Sequence, residues 1–325
     1  MLPGLLTRSL RSSALLAAVL TASALVAVLL VDGQALALRA AAPASADALA
    51  ARAVSPDVDF PRLPRECVKP KDKIPQKPGP CYLTDFQVQR PTIVLWGDSH
   101  AYHHIPAIRQ AVRGQDVNFL VFIAGACPPM VRHTDEQDTC STINRQALAF
   151  VSRLHDHGRQ VTVLLSAYWH WYLSTLERID AGETPEADEK YIFVQSRKFR
   201  RGVPRAFRTL GRLGVEVDVI GPTPTVPDVV DPCSRGETPY ACRITRGRAL
   251  PDERRTRAYV VTQMRSLAGR PRLINLKARI CDSRYCYGRR DGVYTWYDQV
   301  HLSASFSRTT TSYFRGVVRD VKRQT

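Results

Sequence analysis

The stretch Thr92-Ile93-Val94-Leu95-Trp96-Gly97-Asp98-Ser99-His100 constrains this chain more than any other. Residues 92–96 are apolar or β-branched and follow Pro91, the pattern of a buried strand. Gly97-Asp98-Ser99 then turns the chain sharply, and 105–112 reads as the start of a helix. A serine between a buried strand and a helix sits at the carboxyl end of a sheet, where open α/β folds place their ligands. Asp and Ser are also ordinary helix caps. From this stretch alone a plain cap and a functional serine stand as equal readings.

The far end of the chain shifts that balance. There the sequence runs Asp298-Gln299-Val300-His301-Leu302-Ser303. An aspartate and a histidine three residues apart on one turn can set a carboxylate beside an imidazole. The carboxylate fixes the tautomer and supports the positive charge when the ring takes a proton. A serine at a strand end plus such a pair is the set of parts for an activated oxygen nucleophile. The competing reading of His301 is a surface histidine capping the last helix.

Gly97-Asp98-Ser99-His100 together with Asp298, His301, Leu302 and Ser303 resembles the SGNH hydrolase superfamily. More closely, it looks like the SGNH domain of bacterial membrane acyltransferases that O-acylate cell-surface polysaccharides. The resemblance covers roughly residues 91–314. It implies a three-layer α/β/α sandwich around a central parallel sheet of flavodoxin-like type. It also implies Ser99 as nucleophile, His301 as base and Asp298 as the orienting carboxylate. For the oxyanion, the backbone N–H of Ser99 is one expected donor, and Gly125 after the second strand is the nearest match to another. The superfamily's third donor is an asparagine after the third strand. Here that place reads Ser166-Ala167-Tyr168-Trp169-His170-Trp171, with no asparagine. The acyltransferase branch often carries a tryptophan in this region. Trp169 and Tyr168 are therefore candidates for binding substrate, with a place in the pocket wall or the core as the alternative.

Eight cysteines fall in neighbouring pairs: Cys67 and Cys81, Cys127 and Cys140, Cys233 and Cys242, Cys281 and Cys286. An even count in an exported chain points to disulfides, and short loops close at the lowest entropic cost, so local pairing is expected. His100, His103 and His104 cluster after the serine, but no carboxylate accompanies them. His100 is assigned to the motif and the other two to the helix surface. No metal and no cofactor is expected.

Alternation of strands and helices supports the α/β class. Further strands are expected at 117–124, 161–167, 215–221 and 272–276. Helices are expected at 141–155, 189–213 and 251–267, with a closing helix at 303–321. Residues 14–31 form a low-charge apolar run of about the length that spans a bilayer, preceded by Arg8 and Arg11. This divides the chain into a signal anchor at 1–34, a linker and Pro/Lys-rich lead-in at 35–90, and a catalytic domain at 91–325. An uncleaved anchor with its N-terminus in the cytoplasm is favoured over a cleaved signal ending near Ala44-Ser45-Ala46. Either way the domain lies outside the cytoplasm, membrane-anchored by a single pass or secreted.

With 46 Lys and Arg against 30 Asp and Glu, the formal charge is +16. That favours anionic partners; export and the lack of a nucleic-acid-binding pattern argue against nucleic acid. The run from Arg197 to Arg212 is either a solvated helix face or a contact for anionic lipid or acidic glycan. The reading reached is an O-acyltransferase that passes an acyl group through Ser99 to an envelope polysaccharide. With one candidate span, the acyl donor would be a separate membrane acyltransferase. The rivals are a carbohydrate O-acetylesterase using the same three residues, and a catalytically silent protein that binds glycan in the same cleft.

Overall fold

The computed structural model describes residues 54–69, 72–132, 138–226 and 242–323, all within the compact unit Ala44–Thr325. The expected anchor and the alanine-rich stretch after it lie outside the described residues. Among the described residues, no helix is long and apolar enough to cross a membrane.

The elements in chain order are β1 (Cys81–Tyr82), β2 (Thr92–Gly97), α1 (Ser99–Tyr102), α2 (Ile105–Val112), β3 (Asn118–Ile123), α3 (Thr139–Asp156), β4 (Val161–Ser166), α4 (Trp169–Asp180), α5 (Lys190–Leu213) and β5 (Glu216–Ile220). There follow β6 (Arg243–Thr245), α6 (Arg246–Ala249), α7 (Glu253–Met264), β7 (Leu273–Ile274), α8 (Lys277–Ile280), β8 (Tyr285–Tyr287), β9 (Arg289–Arg290), β10 (Val293–Tyr294), α9 (Ala304–Thr309) and α10 (Arg315–Val321).

The main sheet has the order β1-β3-β2-β4-β5-β7. Strands β2, β3, β4, β5 and β7 pair in parallel. Each residue of β2, β3 and β4 is buried, which is why these strands read as continuous apolar runs rather than alternating ones. The two faces feed two cores. Val94 and Trp96 join Ile143, Tyr172, Phe199 and Val260 on one side. Ile93 and Leu95 join Ile105, Ile108, Val317 and Val321 on the other. Helices thus cover both faces.

The sheet is mostly parallel rather than wholly so. The lead-in supplies β1, which pairs antiparallel with β3 at the edge. Disulfide Cys67–Cys81 ties it down. Asp59 adds a further clamp: its carbonyl accepts from Ala304 N–H and its carboxylate from Ser305 N–H. Cys127–Cys140 and Cys281–Cys286 also pair locally as expected. Cys242 is disulfide-bonded too, but Cys233 falls outside the described residues.

The closing helix at 303–321 is broken. It comprises α9, a 3-10 turn at Thr311–Phe314, and α10. The hydroxyls of Thr309, Thr310 and Thr311 bond back to the carbonyls of Phe306, Ser307 and Arg308. Such side-chain bonds compete with helix propagation. Helix α4 was not expected from the sequence, and neither were the small sheets β6–β8 and β9–β10.

Gly97 ends the central strand where two backbones meet. A Cβ there would overlap the Ser166 carbonyl of β4 and press on the Ala101 methyl of α1. No rotamer relieves a clash with backbone. Gly97→Ala is therefore expected to cost about 1–3 kcal/mol through overpacking. Gly247→Ala meets nothing nearby and serves as the neutral control. Thermal unfolding midpoints of the two variants check this.

Candidate active site

Ser99 opens α1 at the carboxyl end of β2 and is partly exposed. The cap of that helix is Asp98, whose carboxylate accepts the His100 N–H at 2.8 Å. The alternative of Ser99 as a plain cap is thereby removed: Asp98 does the capping, and the Ser99 hydroxyl makes no hydrogen bond among the described residues.

The carboxylate of Asp98 also accepts from Tyr168 N–H and from Tyr172 O–H, both at 2.9 Å. It is 1% exposed. Burial pushes its pKa up to about 6, against the pull of those three donors and of His301.

The second half of the site is a tight loop. Trp296 pairs with Leu302 across it, and Tyr297 N–H donates to the His301 carbonyl. Asp298 closes the loop from inside, its Oδ1 taking the N–H groups of Val300 and His301 at 2.9 and 2.8 Å. The same carboxylate meets His301 Nδ1 at 2.8 Å through Oδ2. Burial alone would raise the Asp298 pKa; the bond to His301, its charge and the two backbone donors outweigh burial and hold it below the usual carboxylate range. It is therefore the ionised partner. Nδ1 carries the hydrogen that it donates to Asp298, which leaves Nε2 as the basic atom.

His301 is 8% exposed, which removes the surface-cap reading. Ser303 caps α9 instead, accepting from Phe306 N–H. The His301 ring stacks on Tyr297 at 5.5 Å between centroids. It lies 5.5 Å from the His100 ring, and His100 is the residue after Ser99. His301 Nε2 is buried and has no hydrogen-bond partner among the described residues. The structure thus brings the two motifs to one place, with Nε2 free of any bond to Ser99 in this state.

His103 and His104, expected on the helix surface from the sequence, belong to the core instead. His103 and His104 are 0% exposed and His100 is 1% exposed. Burial lowers the pKa of each, with His104 brought down to about 3, so all three are neutral. Leu302 N–H donates to His103 Nδ1. His103 then holds its hydrogen on Nε2, 3.0 Å from His104 Nε2. These imidazoles brace α1 against the Asp298–His301 loop without adding charge beside it. Among the described residues, no group of three or more His, Cys, Asp or Glu is arranged to hold a metal.

The remaining candidates separate. Gly125 follows β3 in a turn, beside the Gln76 side-chain amide, whose nitrogen a Cβ at this position would displace. Tyr168 stacks on His100 at 4.1 Å. Trp169 as a substrate-binding residue is corrected: it is 1% exposed, its indole N–H donates to the Ile220 carbonyl, and its ring packs on Phe199 and Phe207. The crevice it shares with Tyr168 encloses about 10 Å³, too little for a sugar. Sequence reasoning missed Tyr297, and it missed the inward turn of Tyr172, for which the spacing of Trp169, Tyr172, Leu173 and Leu176 on one helical face was the available signal.

A comparison with solved structures finds the lipopolysaccharide acetyltransferase periplasmic domain of Salmonella ser. Paratyphi A. It superposes with a TM-score of 0.50 over 72% of this chain and 85% of that one, at 17% identity. That likeness speaks to the fold. No curated protein matches by sequence. The family model of the SGNH domain fused to AT3 domains matches residues 66–315, most of the chain and both motifs included. The chain belongs to the SGNH domain family of the type fused to AT3 domains.

Proposed function

We propose that this protein is an extracytoplasmic serine acyl-transfer enzyme, with Ser99 as nucleophile, His301 as base and Asp298 as its orienting carboxylate. One observation carries the reading. His301 presents a buried, unbonded Nε2 while its Nδ1 is committed to Asp298, and it does so beside the turn that carries an uncommitted serine hydroxyl. A buried polar atom without a partner is costly. Such atoms are tolerated where a reacting group needs them.

In this mechanism Ser99 Oγ attacks the acyl carbonyl and its proton passes to His301 Nε2. The tetrahedral oxyanion is held by the backbone N–H of Ser99 and by a donor at Gly125. Collapse breaks the bond to the donor's leaving oxygen, which takes the proton from His301. A sugar hydroxyl then gives its proton to His301 and attacks acyl-Ser99, returning the serine and an O-acylated glycan. Asp298 stays ionised throughout and supports the imidazolium. The preferred acyl group is acetyl and the preferred acceptor an envelope polysaccharide. A separate membrane acyltransferase protein would supply the acyl group. The disulfides favour an oxidising compartment, and residues 14–31 would anchor the protein in the membrane.

A serine-directed fluorophosphonate should label the full chain in mild detergent, and Ser99→Ala should abolish labelling. Asp298→Asn should slow labelling about a thousandfold or more by allowing the wrong tautomer. Absence of labelling in the parent would favour a silent glycan-binding protein.

With p-nitrophenyl acetate as donor, an oligosaccharide acceptor should divert labelled acetyl from free acetate to the sugar. Mass spectrometry of the products reads this partition. Acetate as the sole product across acceptors would make the protein an esterase.

A further inference from the structure

A groove of about 660 Å³ runs along α2, between that helix and the lead-in. Five guanidinium groups line it: Arg62, Arg90, Arg109, Arg113 and Arg308. Arg90 faces Asp116 at 3.8 Å, an exposed pair and so a weak one. The other four have no carboxylate partner among the described residues. Arg62, Arg109 and Arg308 touch only neutral oxygens, namely the Val58 and Arg62 carbonyls and the Ser305 hydroxyl. The one carboxylate in the lining, Asp59, is buried and spent on Ser305 N–H. The groove is therefore a concave strip of uncompensated positive charge.

One end of it approaches the candidate active site, with Tyr297 between the two. Phe60, also in the lining, lies 6.0 Å from the Tyr297 ring, and Tyr297 stacks on His301. Arg62 lies over Phe60 at 4.0 Å, and the Lys73 ammonium lies 4.8 Å from the same ring. The other end lies near Arg90, Arg113 and Val117, at the amino end of β2 and β3. A strip of that extent suits an extended chain with repeated anionic groups, since each guanidinium can take a carboxylate or phosphate in its planar fork.

We propose that this groove binds an acidic polysaccharide, one carrying carboxylate or phosphate groups along its length, and feeds it to His301 and Ser99. The concave shape is what favours a polymer over a membrane face. The inference rests on the proposed acyl transfer for its destination, though the binding itself does not.

The test uses fluorescently labelled oligogalacturonate as the carboxylate probe, poly(glycerol phosphate) as the phosphate probe and neutral dextran as control. Anisotropy is read with the full chain in mild detergent. The parent should bind at least one acidic probe, more weakly as salt rises, and ignore dextran. Arg109→Ala with Arg113→Ala should weaken that binding about tenfold. Lysine at both positions should restore most of it. Arg201→Ala with Arg208→Ala, on the solvent face of α5, should leave it unchanged. Fluorophosphonate labelling of Ser99 should persist in all these variants, so a loss of labelling in the parent counts against the catalytic reading and not against the groove. Equal binding of dextran, equal loss in the α5 variant, or no effect of the groove variant overturns the proposal. So does a groove variant that loses only its binding to phosphatidylglycerol vesicles, which would assign the strip to lipid.

Discussion

The geometry at the carboxyl end of the sheet depends on one buried carboxylate. Asp98 takes an N–H from the helix that follows β2, an N–H from the segment that follows β4, and the hydroxyl of Tyr172. Two neighbouring strands are thereby locked at their ends. Because Asp98 performs the capping, the next residue keeps its hydroxyl for other use. The cost is a carboxyl with its pKa raised to about 6. Its ordinary value lies lower, so Asp98 contributes most to stability at acid pH and that contribution fades as pH rises through about 6. The fold thus carries a buried charge near neutral pH, offset by three donors. Chains hold such groups where position matters more than stability.

A second carboxylate works by the opposite rule. Asp298 is partly exposed and serves its own loop and His301 at once. Its pKa is pulled down, so it holds its charge where the imidazole needs it. The loop that carries it is built on a small separate core in which Trp296, Leu302 and Phe306 pack with Cys281 and Cys286. Trp296 N–H ties that core to the Pro224 carbonyl, and Val226 N–H ties it to Gln299. The lead-in clamps the far side through Asp59. An orienting pair on a loop gains the precision of a rigid element in this way.

The parallel core was legible because strands buried on both faces have to be largely apolar, and β2 to β4 are, each buried at every position. The candidate site was legible as a pairing of two short motifs, which the fold brings together at the His100 and His301 rings. What was lost follows a pattern. Tyr168 and Trp169 read as candidates for binding substrate, whereas α4 turns Trp169 and Tyr172 inward, leaves Trp171 exposed and has Tyr168, its cap, half-buried against His100. His103 and His104 read as surface because histidine is polar, yet a single helical turn held between a sheet end and a loop has no surface to offer. Asp98 read as a cap, which it is, but its other two donors lie some seventy positions away in the chain, at Tyr168 and Tyr172. Contacts at that separation leave no local pattern. Strand β1 is two residues long and hidden among prolines and lysines, so nothing in its period could announce it.

Net charge shows the same limit from another side. A charge of +16 says that anions will be attracted, not where or for what purpose. The structure divides part of that charge into two surfaces. On α5 the exposed arginines Arg197, Arg201, Arg208 and Arg212 stand on the outer face of a long helix, the place where charge keeps a helix soluble. Along α2 five arginines line a hollow; four of them lack a carboxylate partner among the described residues, and the hollow approaches the ring that stacks on His301. Equal numbers of guanidinium groups thus differ in what they can do, because a concave surface holds a bound chain in one path while a convex one only draws it near. The nearness to His301 makes the α2 hollow the one that the proposed acyl transfer could use.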